Sequence, residues 1–201
     1  CIRDRYLAIE GKLAAVICVE DPLREEAADA VRELKEAGIT KVVMMTGDSE
    51  RTAAAIAKRV GVDEYYSEVL PEDKASFVEK EKELGHKVIM IGDGINDSLA
   101  LSSASVGIAI SDGAAIAREI ADVTISADNL HEIVTLKRLS TALMKRIHNN
   151  YRTIIGINGG LIALGVTGII MPTTSALLHN MSTLTISLRS MRNLLPKEEE
   201  A

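Results

Sequence analysis

The chain has 201 residues, 47% of them hydrophobic and none of them Trp, enough for one ordinary soluble domain plus a smaller appendage. Its 29 acidic residues outnumber its 23 basic ones, for a formal net charge of −6. That balance lacks the basic face a nucleic-acid partner requires, so none is expected. The two cysteines, Cys1 and Cys18, show neither a CxxC nor a zinc-ligand spacing. Cys18 lies in an apolar stretch and reads as a small buried hydrophobe.

Over residues 1–130 hydrophobic runs alternate with amphipathic ones. The pattern predicts a strand over 13–19 and a helix over 23–37 closed by Gly38. A strand over 41–45 follows, then a helix over 50–60 ending at Gly61. The next elements are a helix over 72–84 with Gly85 behind it and a strand over 87–91. A helix over 97–103, a strand over 106–110, a short helix over 114–121 and a strand over 123–125 complete the region. Continuous apolar strands alternating with helices imply an α/β fold with a mostly parallel sheet covered on both faces. Ligands of such sheets bind beyond the carboxyl ends of the strands.

A second regime begins near Asn129. Residues 130–148 read as a long amphipathic helix, basic toward its end through Lys137, Arg138, Lys145, Arg146 and His148. Residues 154–171 are then free of charge over about 18 positions, the length needed to cross a bilayer core. Pro172 interrupts this run, and a more polar one continues to about Leu188. Arg152 on one flank, with Arg189 and Arg192 on the other, puts both outer ends on the cytoplasmic side of a membrane hairpin. The lipid bilayer is therefore an expected partner.

Three motifs fall where predicted strands end. Residues 89–98, IMIGDGINDS, place Asp93 and Asp97 four apart, with Gly92 and Gly94 flanking the first. Paired carboxylates at a strand end suit Mg²⁺, which takes one or two of them together with substrate phosphate oxygens. Residues 42–48, VVMMTGD, offer the Thr46 hydroxyl and backbone N–H groups at a helix start, where an anion is favoured. Residues 70–74, LPEDK, put Lys74 just inside a helix opened by Pro71, a compact cation able to neutralise a phosphoryl group. Taken singly, GDG is an ordinary turn and Lys74 a solvated lysine; their order along the chain is the informative part.

That order resembles the haloacid dehalogenase superfamily, a Rossmann-like fold. The strings TGD, LPEDK and GDGINDSLAL more closely resemble the phosphorylation domain of P-type ATPases. Asp21-Pro-Leu-Arg24 is similar to the segment that the family carries near its nucleotide-domain hinge, which assigns Asp21 and Arg24 there. The resemblance runs from about Leu13 to Leu195. The family's nucleophilic aspartate lies in an Asp-Lys-Thr-Gly-Thr strand, and that string is absent from these residues. The chain, opening on Cys1, is thus expected to be the C-terminal piece of a larger pump, inactive alone and partnered by the missing N-terminal portion. The implied division is a partial phosphorylation domain over 1–130, a connecting helix over 131–152, two transmembrane helices over 153–192 and a charged cytoplasmic tail over 193–201.

The resemblance implies ATP and Mg²⁺ as cofactors and an aspartyl-phosphate intermediate. Asp93, with Asp97 near it, would hold Mg²⁺, while Thr46, Gly47, Lys74 and Asn96 would cradle the phosphoryl group. Asp48 is expected to cap the helix that follows it. The hairpin resembles the last two membrane helices of the heavy-metal-transporting subfamily. Asn158, His179, Asn180, Met181 and Ser182 are the candidate readers of the transported ion. Polar side chains at membrane depth usually face an ion pathway; packing glue between helices is the plainer reading, favoured for Thr167 and Thr185. Ile157 replaces the Tyr usual in copper pumps, and no acidic residue enters the second helix as in zinc, cadmium and lead pumps. A mixed N/O/S donor set leaves a transition-metal cation of the Cu, Zn, Cd, Co or Mn class open. The expected location is a prokaryotic plasma membrane, multi-pass, with the phosphorylation domain cytoplasmic. The rival readings are a soluble phosphatase of the same superfamily and a non-catalytic membrane-anchored module that keeps a Mg²⁺-phosphate pocket.

Overall fold

A computed structural model describes residues 3–9, 12–19, 23–93, 96–110, 119–125 and 129–194. Asp21, Gly94, most of the helix expected over 114–121 and the tail from residue 195 lie outside the described residues; Glu119 and Ile120 are helical. The chain divides into two compact units, Cys1–Val134 and Thr135–Ala201.

The first unit opens with an antiparallel hairpin, β1 (Arg3–Ile9) and β2 (Lys12–Val19), whose register shifts at Leu7/Ala8. The sequence pattern assigned β2 but no bounds for β1, because the charged residues Arg3, Asp4 and Arg5 interrupt its apolar alternation. Alternating elements follow: α1 (Ala27–Glu36), β3 (Val43–Met45), α2 (Glu50–Val60), β4 (Glu64–Tyr66), α3 (Pro71–Glu83), β5 (Ile89–Gly92), α4 (Ser98–Ser103), β6 (Val106–Ile110) and β7 (Val123–Ile125). Helix α2 matches its expected bounds. Ala53 and Ala57 form its buried face, and Gly61 closes it at φ 79°, a left-handed conformation open to glycine without steric cost. Helix α1 begins four residues later than expected; a turn over Glu25–Glu26 precedes it.

Among the described residues the α/β region is parallel: β3 pairs with β4, and β6 lies between β5 and β7. β4 was not anticipated, its three residues being too short for a periodic signal. Gly107, Ile108 and Ala109 of β6 are buried in succession, as expected of a strand covered on both faces. One hydrophobic cluster unites Ala75 and Val78 of α3, Met90 of β5, and Ala100 and Leu101 of α4. Each element enters that cluster next to a motif residue: Ala75 follows Lys74, Met90 precedes Gly92, and Ala100 stands one turn after Asp97. Packing of these apolar residues therefore determines where the polar ones stand.

The second unit contains most of α5 (His131–Val166) and all of α6 (Pro172–Ser190). The expected connecting helix and the first apolar run are one continuous helix, since nothing between 148 and 154 breaks it. No helix among the described residues is long and apolar enough to cross a membrane, a departure from the expected transmembrane hairpin. The apolar run outlasts the helix. α5 stops at Val166, Gly168 turns at φ 72°, and Ile169 N–H closes the turn on Leu164 C=O. From Ile154 to Val166 the helix rises only about 20 Å at 1.5 Å per residue, against a hydrocarbon core of about 30 Å. α6 is interrupted throughout by polar residues. Arg146 ties its end to α5: its guanidinium donates to the carbonyls of Ser190 (2.9 Å), Arg192 and Asn193 (2.9 Å), while Asn150 Nδ2 donates to Ser190 Oγ at 2.7 Å.

Two outcomes test this description of the first unit. Leu101 is 1% exposed, so Leu101→Ala should destabilise the chain by about 2–5 kcal/mol in urea titrations. Asp63 accepts from Lys35 Nζ and from Val42 N–H, each at 2.7 Å. These bonds, Lys35 foremost, hold its carboxyl below the usual range. A carboxyl depressed by folding contributes stability above its unfolded value, lost as pH falls through the folded one. The stability gap between wild type and Asp63→Asn should therefore narrow on acidification below about pH 4, read from urea midpoints.

Candidate functional site

Strand β3 ends at Met45, and Thr46 continues its pairing: Thr46 N–H donates to Tyr66 C=O at 3.0 Å, and Val69 N–H donates to Thr46 C=O at 3.0 Å. The TGD turn is thereby fastened to the residue just before Leu70, which stands at the N-cap of α3. Thr46 Oγ1 accepts from Asp48 N–H and donates to Asp48 Oδ2, both at 3.1 Å. Asp48 does not occupy the cap position expected for it. Ser49 stands there, its hydroxyl 3.1 Å from that of Thr52, and the Asp48 carboxylate organises the turn on the Thr46 side. Gly47 sits between the two, where an added Cβ would lie 3.8 Å from Val69 O, an ordinary contact.

α3 begins at Pro71, and the Asp73 carboxylate accepts from Leu70 N–H at 3.2 Å. Lys74 stands in the first turn. Its Nζ lies 2.7 Å from Asp97 Oδ1, with the two side chains only 16% and 13% exposed. This contact joins LPEDK to GDGIND across 23 residues of sequence. Asp97 is the residue before α4, and its carbonyl accepts from Leu101 N–H at 2.8 Å. Its carboxylate leans on the end of β5, where a Cβ added to Gly92 would stand 2.5 Å from Asp97 Oδ2. The neighbour that a side chain at residue 92 would meet is thus the chain's own carboxylate.

Asp93 is exposed just past β5, and its Oδ1 accepts from Asn96 N–H at 3.3 Å. Asn96 itself is exposed. Thr46, Lys74, Asp93, Asn96 and Asp97 all belong to the carboxyl-end loops of β3 and β5 or to α3, which the Val69–Thr46 bond and the Lys74–Asp97 pair tie to those loops. No cluster of three or more His, Cys, Asp or Glu that could enclose a metal occurs among the described residues. The donor set suits Mg²⁺ in its usual manner, one or two carboxylates with the remaining positions left to water and phosphate. Of the expected hinge pair, Arg24 is described, with Nη1 3.7 Å from Glu26 Oε1.

In the second unit, His179 Nδ1 and Asn158 Oδ1 lie 2.9 Å apart across α5 and α6. They line an open groove of about 680 Å³ together with Ile162, Gly165, Ser175 and Asn180. Met181 and Ser182 lie outside that lining. Met181 is exposed, and the Ser182 hydroxyl donates to His179 C=O at 2.8 Å within its own helix. Thr167 and Thr185 donate back to the Ala163 and Met181 carbonyls four residues earlier, local bonds and not the bonds between helices expected of them.

A family profile for haloacid dehalogenase-like hydrolases matches residues 2–105. Over most of its length the chain is similar to heavy-metal pumps. It is 44% identical over 173 residues to a copper-transporting ATPase 2 of Rhizobium meliloti, covering 86% of this chain and 21% of that protein. It is 37% identical over 187 residues to a manganese-exporting P-type ATPase of Mycobacterium bovis, covering 92% and 26%. The crystal structure of a zinc-transporting PIB-type ATPase in its E2·Pi state superposes with a TM-score of 0.85 at 32% identity, over 95% of this chain and 31% of that one. The chain spans about a quarter of the length of the curated relatives it matches.

The groove geometry has a spectroscopic consequence. With the amide oxygen of Asn158 as acceptor, the His179 proton resides on Nδ1, leaving the Nε2 lone pair available. ¹⁵N chemical shifts of the imidazole should report the Nδ1–H tautomer, and Asn158→Ala should shift it toward Nε2–H. Identical tautomer populations in the two proteins would remove the contact.

Proposed function

The chain belongs to the haloacid dehalogenase-like hydrolase family, and from that premise we propose that it is the C-terminal part of an ATP-driven transition-metal pump working through an aspartyl-phosphate. The observation that carries this reading is the Lys74–Asp97 pair at 2.7 Å. It joins two motif segments at the end of a parallel strand, while the Val69–Thr46 bond ties in the third.

In this reading the nucleophilic aspartate and the nucleotide come from the rest of the pump, and this chain supplies the pocket that receives the phosphoryl group. Asp93 would hold Mg²⁺, with Asp97 beside it; the bound cation supplies positive charge to phosphoryl oxygens. Lys74 presents its ammonium to the same oxygens from the first turn of α3. Thr46 and Gly47 line the opposite loop, and Asn96 offers an amide from the turn closed by Asp93. Such preorganised charge is what phosphoryl transfer chiefly requires of a protein. Asp21 and Arg24 would belong to the hinge toward the nucleotide-binding part.

The second unit would lie in the bilayer, with the phosphorylation domain in the cytoplasm. Both helices display large apolar side chains to the surroundings, among them Ile155, Ile162, Val166, Leu177, Leu184 and Leu188. Lipid or the pump's other helices would cover them. The cargo would be a transition-metal cation, met in the groove by His179 Nε2 and Asn158 with Asn180 nearby; Met181 and Ser182 stand further from that role. The division of the chain into a phosphorylation domain over 1–130, a connector over 131–152, a membrane hairpin over 153–192 and a tail over 193–201 belongs to the same proposal.

In the complete pump, Asp93→Asn should reduce phosphoenzyme formation from ATP to background, measured by acid-stable ³²P incorporation at saturating Mg²⁺. Wild-type incorporation in that variant would remove Asp93 from the cation site.

A further inference from the structure

We infer that the second unit carries a binding site for anionic phospholipid headgroups at the level where α6 ends, built from Lys145 and Arg152 of α5 and Arg189 of α6. This rests on the proposed placement of that unit in a bilayer, and adds to it a class of lipid and the residues that select it. The charge balance of the unit comes first. From residue 133 to residue 197 the chain holds eight Lys or Arg and neither Asp nor Glu, although the whole chain is acidic. The described residues of the second unit therefore include no carboxylate side chain to pair with these cations. Cations without internal counterions draw anions from their surroundings.

Their placement gives those anions a site. Arg146 and Asn150 bond to Ser190 and so mark the level of α5 at which α6 finishes. Lys145 and Arg152 flank that level, about 10 Å apart along the axis, and Arg189 is the neighbour of Ser190. Lys145, His148 and Arg152 follow one another at i+3 and i+4, which sets them on one face of α5. All three are exposed, as is Arg189. Arg146 differs from them, since its guanidinium is spent on backbone carbonyls.

The surroundings of this band select the kind of anion. Ile154 and Ile155 of α5 and Leu184 and Leu188 of α6 are exposed on the side toward the groove, and exposed Tyr151 lies within the band. Apolar side chains followed by cations and a tyrosine match the order of acyl chains and headgroups in a bilayer leaflet. A free phosphate ion would leave the apolar side chains uncovered, whereas a phospholipid answers both parts. The guanidinium of Arg152 or Arg189 can take two oxygens of a lipid phosphate, and the Lys145 ammonium adds a point charge.

The test reconstitutes the 201-residue chain into phosphatidylcholine vesicles holding a trace of spin-labelled lipid. Electron paramagnetic resonance then reads the lipid fraction that the protein restricts in motion. Spin-labelled phosphatidylglycerol should associate about fivefold more strongly than spin-labelled phosphatidylcholine, the factor that one basic residue contributes at a charged surface. Salt at about 1 M should reduce that preference. Lys145→Gln, Arg152→Gln and Arg189→Gln combined should bring the two lipids to equal association, while Lys145→Arg with Arg152→Lys should keep the preference. Arg152→Gln alone should lower it, which keeps the residue assignment testable where the triple variant does not reconstitute. Equal association in the wild type, or an undiminished preference in these Gln variants, overturns the site. If the chain restricts neither lipid, the placement of the second unit in a bilayer is overturned instead.

Discussion

A lysine in the first turn of a helix opposes the helix's own electrostatics. The N-terminal turn carries partial positive charge, where cations are disfavoured by a few tenths to about 1 kcal/mol. Lys74 stands in such a turn, and the carboxylates of Glu72 and Asp73 share it. What holds the ammonium inward is Asp97, at 2.7 Å across from α4. A lysine placed for stability alone would stand in the last turn, as Lys80 and Lys82 do in this helix. The local conflict at Lys74 is offset by the Asp97 carboxylate across from it. Met90, Leu101 and Ala75 pack together so that β5, α4 and α3 converge, and residue 92 lacks a side chain so that the Asp97 carboxylate fits beneath.

Convergence of the motif loops then rests on the segment that opens α3. β3 and β5 belong to separate parallel pairings, and the loops after them are tied to that segment by the Val69–Thr46 bond and the Lys74–Asp97 pair. Thr46 is held there because its backbone is fixed from two directions, by Tyr66 C=O behind and Val69 N–H ahead. Its hydroxyl is organised by Asp48, which orients the turn rather than capping α2. The loop with a hydroxyl, the helix start with a cation and the strand end with a carboxylate thus share one set of backbone bonds. Under the proposed reading, a phosphoryl group, with a cation between its oxygens and the carboxylate, would meet that combination.

The sequence made legible whatever repeats locally. Helix α2 was read to its exact ends because Ala53 and Ala57 recur at helical spacing between an acidic start and a glycine stop. β6 and β7 were legible as short apolar runs between breakers. β1 and β4 were not, since the first carries charged residues among its apolar ones and the second is three residues long and exists through a partner some twenty residues away, β3. The motif residues were all legible as candidates, but their division of labour was not. Nothing in the string GDGIND says which aspartate faces the lysine; that depends on the separation of α3 and α4, set by side chains in the core. The helix break expected near residue 150 failed for a related reason. A change from basic to apolar composition marks a change of surroundings, while the backbone continues through it, and α5 runs on to Val166.

The same distinction between surroundings and backbone governs the second unit. From Thr153 to Leu188 the sole ionisable side chain is His179, so any ion chemistry there depends on it and on neutral donors. Its Nδ1 is occupied by Asn158, which leaves one imidazole nitrogen toward the groove. The imidazole nitrogen and the amide oxygens of Asn158 and Asn180 make three donors, fewer than the four of a tetrahedral metal site. If the groove meets the cargo ion as proposed, further donors would come from the rest of the pump, and the pair's own contribution would be one imidazole nitrogen. Arg146 bonds the carbonyls at and just past the end of α6, which ties that end to α5. A shift of one residue, about 1.5 Å along the axis, would separate His179 from Asn158 and release the tautomer on which the free nitrogen depends.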